Sequence, residues 1–77
     1  MKKIQILGTG CPKCNILTAN AQIAAQELGI EHEIEKVSDI NDIMNFGVMM
    51  TPALAIDNEV KIVGKVASIE EIKGLIQ

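Results

Sequence analysis

Both cysteines of the chain fall in one stretch, Gly8-Thr9-Gly10-Cys11-Pro12-Lys13-Cys14. Two thiols in a C-x-x-C spacing can close a reversible disulfide or share one soft metal ion such as Cu(I), and both chemistries run through the thiolate. Pro12 stiffens the segment between the sulfurs and has no backbone N–H to donate. Lys13 puts a positive charge between the two thiols. The spacing alone leaves the redox and metal readings open, and the surrounding elements have to separate them.

The residues before the pair, Lys3 to Leu7, read as a short apolar strand closed by Gly8-Thr9-Gly10, glycines that allow a tight turn and close backbone approach. Pro12 suits the first position of a helix, which places Cys11 at the N-cap. The apolar stripe Leu17, Ala21, Ala24, Ala25 and Leu28, with Ile16 and Ile23 beside it, carries that helix to Gly29, a left-handed stop. Cys14 lies one turn before Leu17, on or near the buried stripe, while Cys11 stands at the exposed tip. Ile30 to Val37 alternates apolar residues with acids, as in an edge strand, and pairs in parallel with the first strand across the helix. Ser38 is expected to cap a second helix, Asp39 to Phe46, whose inward face is Ile40, Ile43 and Met44 and whose stop is Gly47. A loop, 48–52, leads to a third strand, Ala53 to Ile56. Asp57-Asn58 turns it into an antiparallel fourth strand, Val60 to Val63, ended by Gly64. Ser68 and Glu71 form a capping box for a last helix, Ile69 to Ile76, which buries Ile69, Ile72 and Ile76. The class is α/β in the order β-α-β-α-β-β-α.

Composition narrows the partners. At 77 residues the chain is expected to be one domain, 1–77. Phe46 is the only aromatic, there is no Arg, and the net charge is −3, which excludes the basic, stacking surfaces of nucleic-acid binders. Two cysteines do not build a secreted disulfide framework. After Met1-Lys2-Lys3 the apolar run is four residues broken by Gln5, too short for a signal peptide, and no stretch approaches the roughly 20 apolar residues of a membrane span. A soluble cytoplasmic monomer is expected, with no membrane or nucleic-acid partner.

Cys11-Pro12-Lys13-Cys14 after the first strand, Thr51-Pro52 before the third and the element order together resemble a minimal thioredoxin fold of glutaredoxin size. The small archaeal and bacterial thioredoxin-like group called redox-active disulfide protein 2 is the nearest in pattern, and the likeness runs over the whole chain. It implies a four-stranded mixed sheet, strands in the order second, first, third, fourth, with helices on both faces. It also implies a cis bond before Pro52, with that loop against the cysteine pair and Thr51 placed to touch a substrate backbone. The implied activity is that of a thiol–disulfide oxidoreductase that reduces protein disulfides and takes electrons from a thioredoxin reductase, without bound cofactor or metal.

In that reading Cys11 is the attacking thiolate, favoured by the unpaired N–H groups of the helix start and by Lys13, and Cys14 is the resolving thiol. Pro12, Lys13, Thr51 and Pro52 support the pair. The chain departs from typical thioredoxins in lacking a Trp beside the first cysteine and an acid in the first strand. Proton transfer during resolution then has to use water, a backbone group or another side chain. The runner-up is a Cu(I)-binding module using the same two thiols, but its usual order is βαββαβ and Thr51-Pro52 has no role there. His32 alternates with Ile30 and Ile34, on a strand face away from the site. Met44, Met49 and Met50 resemble the donors of a soft copper site, but fit better a packing role or an adaptable apolar rim for a partner.

Overall fold

The computed structural model describes residues 2–10 and 12–77. Along the chain run β1 (Lys2–Leu7), α1 (Pro12–Leu28), β2 (His32–Val37), α2 (Ile40–Asn45), β3 (Ala53–Ile56), β4 (Glu59–Val63) and α3 (Ile69–Ile76). The sheet order is β2-β1-β3-β4, as the family pattern implies. β1 pairs with β2 in parallel and with β3 antiparallel, and β3 pairs with β4 antiparallel.

Alternation along β1 builds a core on each face of the sheet. Ile4 and Ile6, with Leu54, Ile56 and Ile62, pack under α1 and α3 against Leu17, Ala21, Ala24, Ala25, Ile72 and Ile76. Leu7, Val37, Val48 and Ala53 pack under α2 against Ile43, with Phe46 and Val60 at the margin. Small alanines on α1 let that helix lie close to the sheet, so a short chain still encloses a dry core. The one buried polar side chain among the described residues is Gln5, on the α2 face. Its amide donates to Asn58 Oδ1 at 2.7 Å and Glu35 Oε1 at 3.3 Å, and its Oε1 accepts from Asn58 N at 2.8 Å. Those bonds tie β2, β1 and the β3–β4 turn together across the sheet.

The helix and strand ends follow from local chemistry. Gly29, at φ 67°, takes the left-handed position after α1. Ile30 N–H reaches back to Ala25 O at 3.4 Å and Gly29 N–H to Gln26 O at 3.1 Å, a Schellman closure. Ile30 is thereby spent on the cap, so β2 starts at His32 rather than at Ile30. The cap of α2 is Asp39, not Ser38: its carboxylate accepts from Asn41 N at 2.8 Å. The helix accordingly covers Ile40–Asn45 instead of Asp39 to Phe46. Asp57 and Asn58 both have positive φ, 50° and 71°, the two-residue turn that matches strand twist in a hairpin. β3 and β4 slip by one residue between Leu54 and Ala55. This bulge lets Val60 pack toward α2 while Ile62 packs toward α1 and α3, two residues that regular alternation would place on one face.

The Ser68 capping box forms as expected, with Glu71 N donating to Ser68 Oγ at 3.1 Å and Ser68 N to Glu71 Oε1 at 3.2 Å. The Lys65 side chain, then the Ser68 backbone N–H, hold the Glu71 carboxyl below its ordinary value of 4.5. A depressed carboxyl adds stability above its unfolded pKa and loses it as pH falls through the folded one. Thermal melts of the wild type and Glu71→Gln should therefore differ most above pH 4.5 and converge as acid titrates Glu71. A gap that persists unchanged into strong acid would assign it to shape rather than charge.

Candidate active site

Three segments converge on Cys14. It occupies the first turn of α1, heads the stripe of Leu17, Ala21, Ala24 and Ala25, and is 5% exposed. Thr18 Oγ1 donates to its carbonyl at 2.8 Å, which ties this turn to the next. Gly8, just past β1, presents its bare α-carbon to the sulfur. A Cβ built there would overlap Cys14 Sγ, with Cys14 Cβ at 3.3 Å and Thr51 Cβ at 4.0 Å. The strand end, the helix start and the loop before β3 thus meet at one point. Gly8 N donates to Val37 O at 2.9 Å and anchors that point to β2.

The Thr51-Pro52 peptide is cis. Pro52 is buried and Thr51 exposed. Gly64 N donates to Pro52 O at 2.9 Å, and Met50 packs over Gly64, so the loop is fastened to the end of β4. Pro12 opens α1 as expected, and Pro12 and Lys13 are both exposed. Cys11 and its expected N-cap position lie outside the described residues.

Two openings flank this junction. The first is an apolar groove of about 380 Å³ formed by Ile40, Ile43, Met44, Val48 and Met49, with Thr9 and Thr51 at its cysteine-proximal side. It corrects the expected inward face of α2. Only Ile43 is buried, whereas Ile40 and Met44 are 61% and 66% exposed. The six-residue helix needs one side chain to fill the space over Leu7 and Val37, and its other apolar residues turn to the groove. Met49 is 96% exposed at this groove, whereas Met50 packs over Gly64. The second opening is a cleft of about 120 Å³ that reaches Cys14 and Gly8 between Asn15, Thr18, Lys36 and Ser38. Ser38, relieved of capping, stands here instead. A larger depression of about 450 Å³ lies over Gln5 on the α2 face, and its lining includes neither Cys14 nor Thr51.

His32 is half-buried on β2, with Nδ1 at 3.1 Å from the Ile30 carbonyl; it shares the α1-facing side of the strand with Ile34, which corrects the expected face, and is kept from the site by standing at the other end of β2. Sequence reasoning missed Lys36 and Ser38. Extending the alternation of Ile30, His32 and Ile34 by one period would have put Lys36 on the helix-facing side of β2, beside Ile6, its register partner.

A parallel β-α-β start, a buried cysteine at the head of its helix and a cis-proline loop against that cysteine define a class: thiol–disulfide oxidoreductases built on the thioredoxin fold. The chain belongs to the thioredoxin domain family, whose family model matches residues 2–77. It is 50% identical over 76 residues to a thioredoxin of Methanothermobacter thermautotrophicus, covering 99% of each chain. It is 49% identical over 73 residues to a thioredoxin of Methanocaldococcus jannaschii, covering 95% of this chain and 84% of the relative.

Proposed function

We propose that residues 1–77 act as one dithiol electron carrier that reduces protein disulfides through Cys11 and Cys14. The observation that carries this reading is the junction at Cys14, buried against Gly8 with the cis Thr51-Pro52 loop beside it. Cys11 thiolate attacks a substrate disulfide and forms a mixed disulfide. Cys14 then attacks Cys11 and releases the reduced product. Pro12 limits the motion of the segment between the sulfurs, and Lys13 favours the Cys11 thiolate. Thr51 meets the substrate backbone, and Pro52 holds that loop against Cys14. A thioredoxin reductase regenerates the dithiol. The protein works as a cytoplasmic monomer.

The Cu(I) reading loses support from the element order β-α-β-α-β-β-α and from the loop placed against Cys14. The test is metal content after purification under reducing conditions, together with reduction of a protein disulfide such as insulin. Turnover by the wild type and none by Cys11→Ser is expected. Stoichiometric copper with no turnover would sink the proposal.

The apolar groove fits an extended apolar segment next to the substrate's disulfide, because it runs from Met44 and Met49 up to Thr9 and Thr51 at the cysteine site. Methionine suits a surface that must adapt to different partners. Met49→Lys should raise KM for a protein disulfide about threefold to tenfold, from the loss of ~1 kcal/mol of apolar contact. It should leave the rate with a small aromatic disulfide unchanged. Equal effects on both substrates would place Met49 outside docking.

A further inference from the structure

Methionine commonly fills irregular gaps in a core. Here both cores are built from Ile, Leu, Val and Ala, and among the described residues neither holds a methionine. Met44, Met49 and Met50 are instead 66%, 96% and 62% exposed. Two of them, Met44 and Met49, line the apolar groove of about 380 Å³ that ends at Thr9 and Thr51. Met50 does not line it, and its Sδ lies 3.6 Å from where a Gly64 Cβ would stand.

Exposure gives these thioethers a chemistry that the groove's other apolar residues, Ile40, Ile43 and Val48, lack. A thioether has no proton to lose, so access rather than pH governs its reaction with a two-electron oxidant such as hydrogen peroxide. The product, methionine sulfoxide, is polar and disrupts Met-rich interfaces. The neighbouring dithiol sets the order of events. A thiolate is the stronger nucleophile, so peroxide is consumed there first. Once Cys11 and Cys14 are joined no thiolate remains, and Met44 and Met49 are the sulfurs left at the groove.

We propose that Met44 and Met49 form an oxidation site that suspends protein docking: a peroxide converts their thioethers to sulfoxides, the groove loses its apolar character, and the dithiol keeps its chemistry. This rests on the reading of the groove as the place where an apolar substrate segment docks. In the step itself, the methionine sulfur attacks one peroxide oxygen, and the S–O bond forms as the O–O bond breaks. The departing hydroxide takes the proton from the S–OH group, which leaves sulfoxide and water. Each sulfur gives up two electrons, and the peroxide accepts them. A methionine sulfoxide reductase reverses the change.

The test starts from protein whose Cys11–Cys14 disulfide has been closed, so that hydrogen peroxide acts on the thioethers. Peptide mapping by mass spectrometry should find sulfoxide at Met49 and Met44 ahead of Met50. Peroxide is then removed and the disulfide reopened with dithiothreitol, which leaves sulfoxides in place. KM for insulin should stand about threefold to tenfold above that of untreated protein, with the rate on a small aromatic disulfide the same in both. Methionine sulfoxide reductase should bring KM back. Each variant is compared with its own untreated form. Treatment should leave KM where it was in Met44→Leu/Met49→Leu and raise it in Met50→Leu as in the wild type. Sulfoxide at Met44 and Met49 with an unchanged KM, sulfoxide confined to Met50, or a rise that persists in the double variant overturns the proposal. Met49→Lys separates the two readings. If it leaves KM for insulin unchanged, the groove is no docking surface; if it raises KM while the sulfoxides do not, only the oxidation site fails.

Discussion

Cys14→Ser is expected to lose at least about 100-fold in protein-disulfide turnover while accumulating a covalent adduct with its substrate. The hydroxyl has nearly the shape of the thiol but does not ionise in the accessible pH range, so the second exchange stops after the first has occurred. Cys11→Ser should lose turnover as fully and accumulate no adduct. Non-reducing gels and intact mass separate the two outcomes. Adduct in both variants, or in neither, would remove the division of roles between the sulfurs. Folding is checked by circular dichroism, because a hydroxyl at a position 5% exposed costs about 1–3 kcal/mol if left without a partner.

Gly8→Ala is the second large effect, and it touches neither sulfur chemically. Gly8 lies outside the positive-φ glycines, so alanine adds no backbone strain, only a methyl in the space that Cys14 Sγ fills. Either the sulfur moves or the strand end backs away from α1. Overpacking of this kind costs typically about 1–3 kcal/mol. A displacement near 1 Å at a reacting atom can cost about 100-fold in rate, so turnover should fall by that order even where the fold survives. Gly74→Ala is the control. Nothing lies within 4 Å of its added Cβ, and alanine is the better helix former, so its melting temperature should rise and its turnover stay the same. If Gly8→Ala kept full turnover with an unshifted melt, the close approach of Gly8 to Cys14 would have no functional weight.

Much of the site was legible because its parts are local. A proline that suits a helix start, an apolar stripe with helical period and a glycine stop place Cys14 on the buried face of α1 with no knowledge of the sheet. The same holds for Ser68 with Glu71, whose partners are three residues apart, and for the Asp57-Asn58 turn. The misreadings were local as well. Ser38 and Asp39 are both good caps, and the carboxylate took the position. Ile30 reads as strand by alternation but is used to close α1. Ile40 and Met44 read as core because they are apolar, but a six-residue helix had room beneath it for Ile43.

By itself, then, the amino-acid sequence determined the element order, the placement of Cys14 on α1 and the presence of a Thr51-Pro52 loop before β3. These depend on propensity, period and capping between residues close along the chain. The convergence of Gly8, Cys14 and Thr51 was decided only by the tertiary structure, since it needs β1, α1 and the loop before β3 to meet over more than forty positions of sequence. The same is true of Lys36 at the Cys14 cleft, which depends on the parallel register that sets Ile6 beside Lys36. Registry and close packing are properties of the assembled sheet and its helices, and no local pattern of residues encodes the distance between two side chains that the chain brings together from afar.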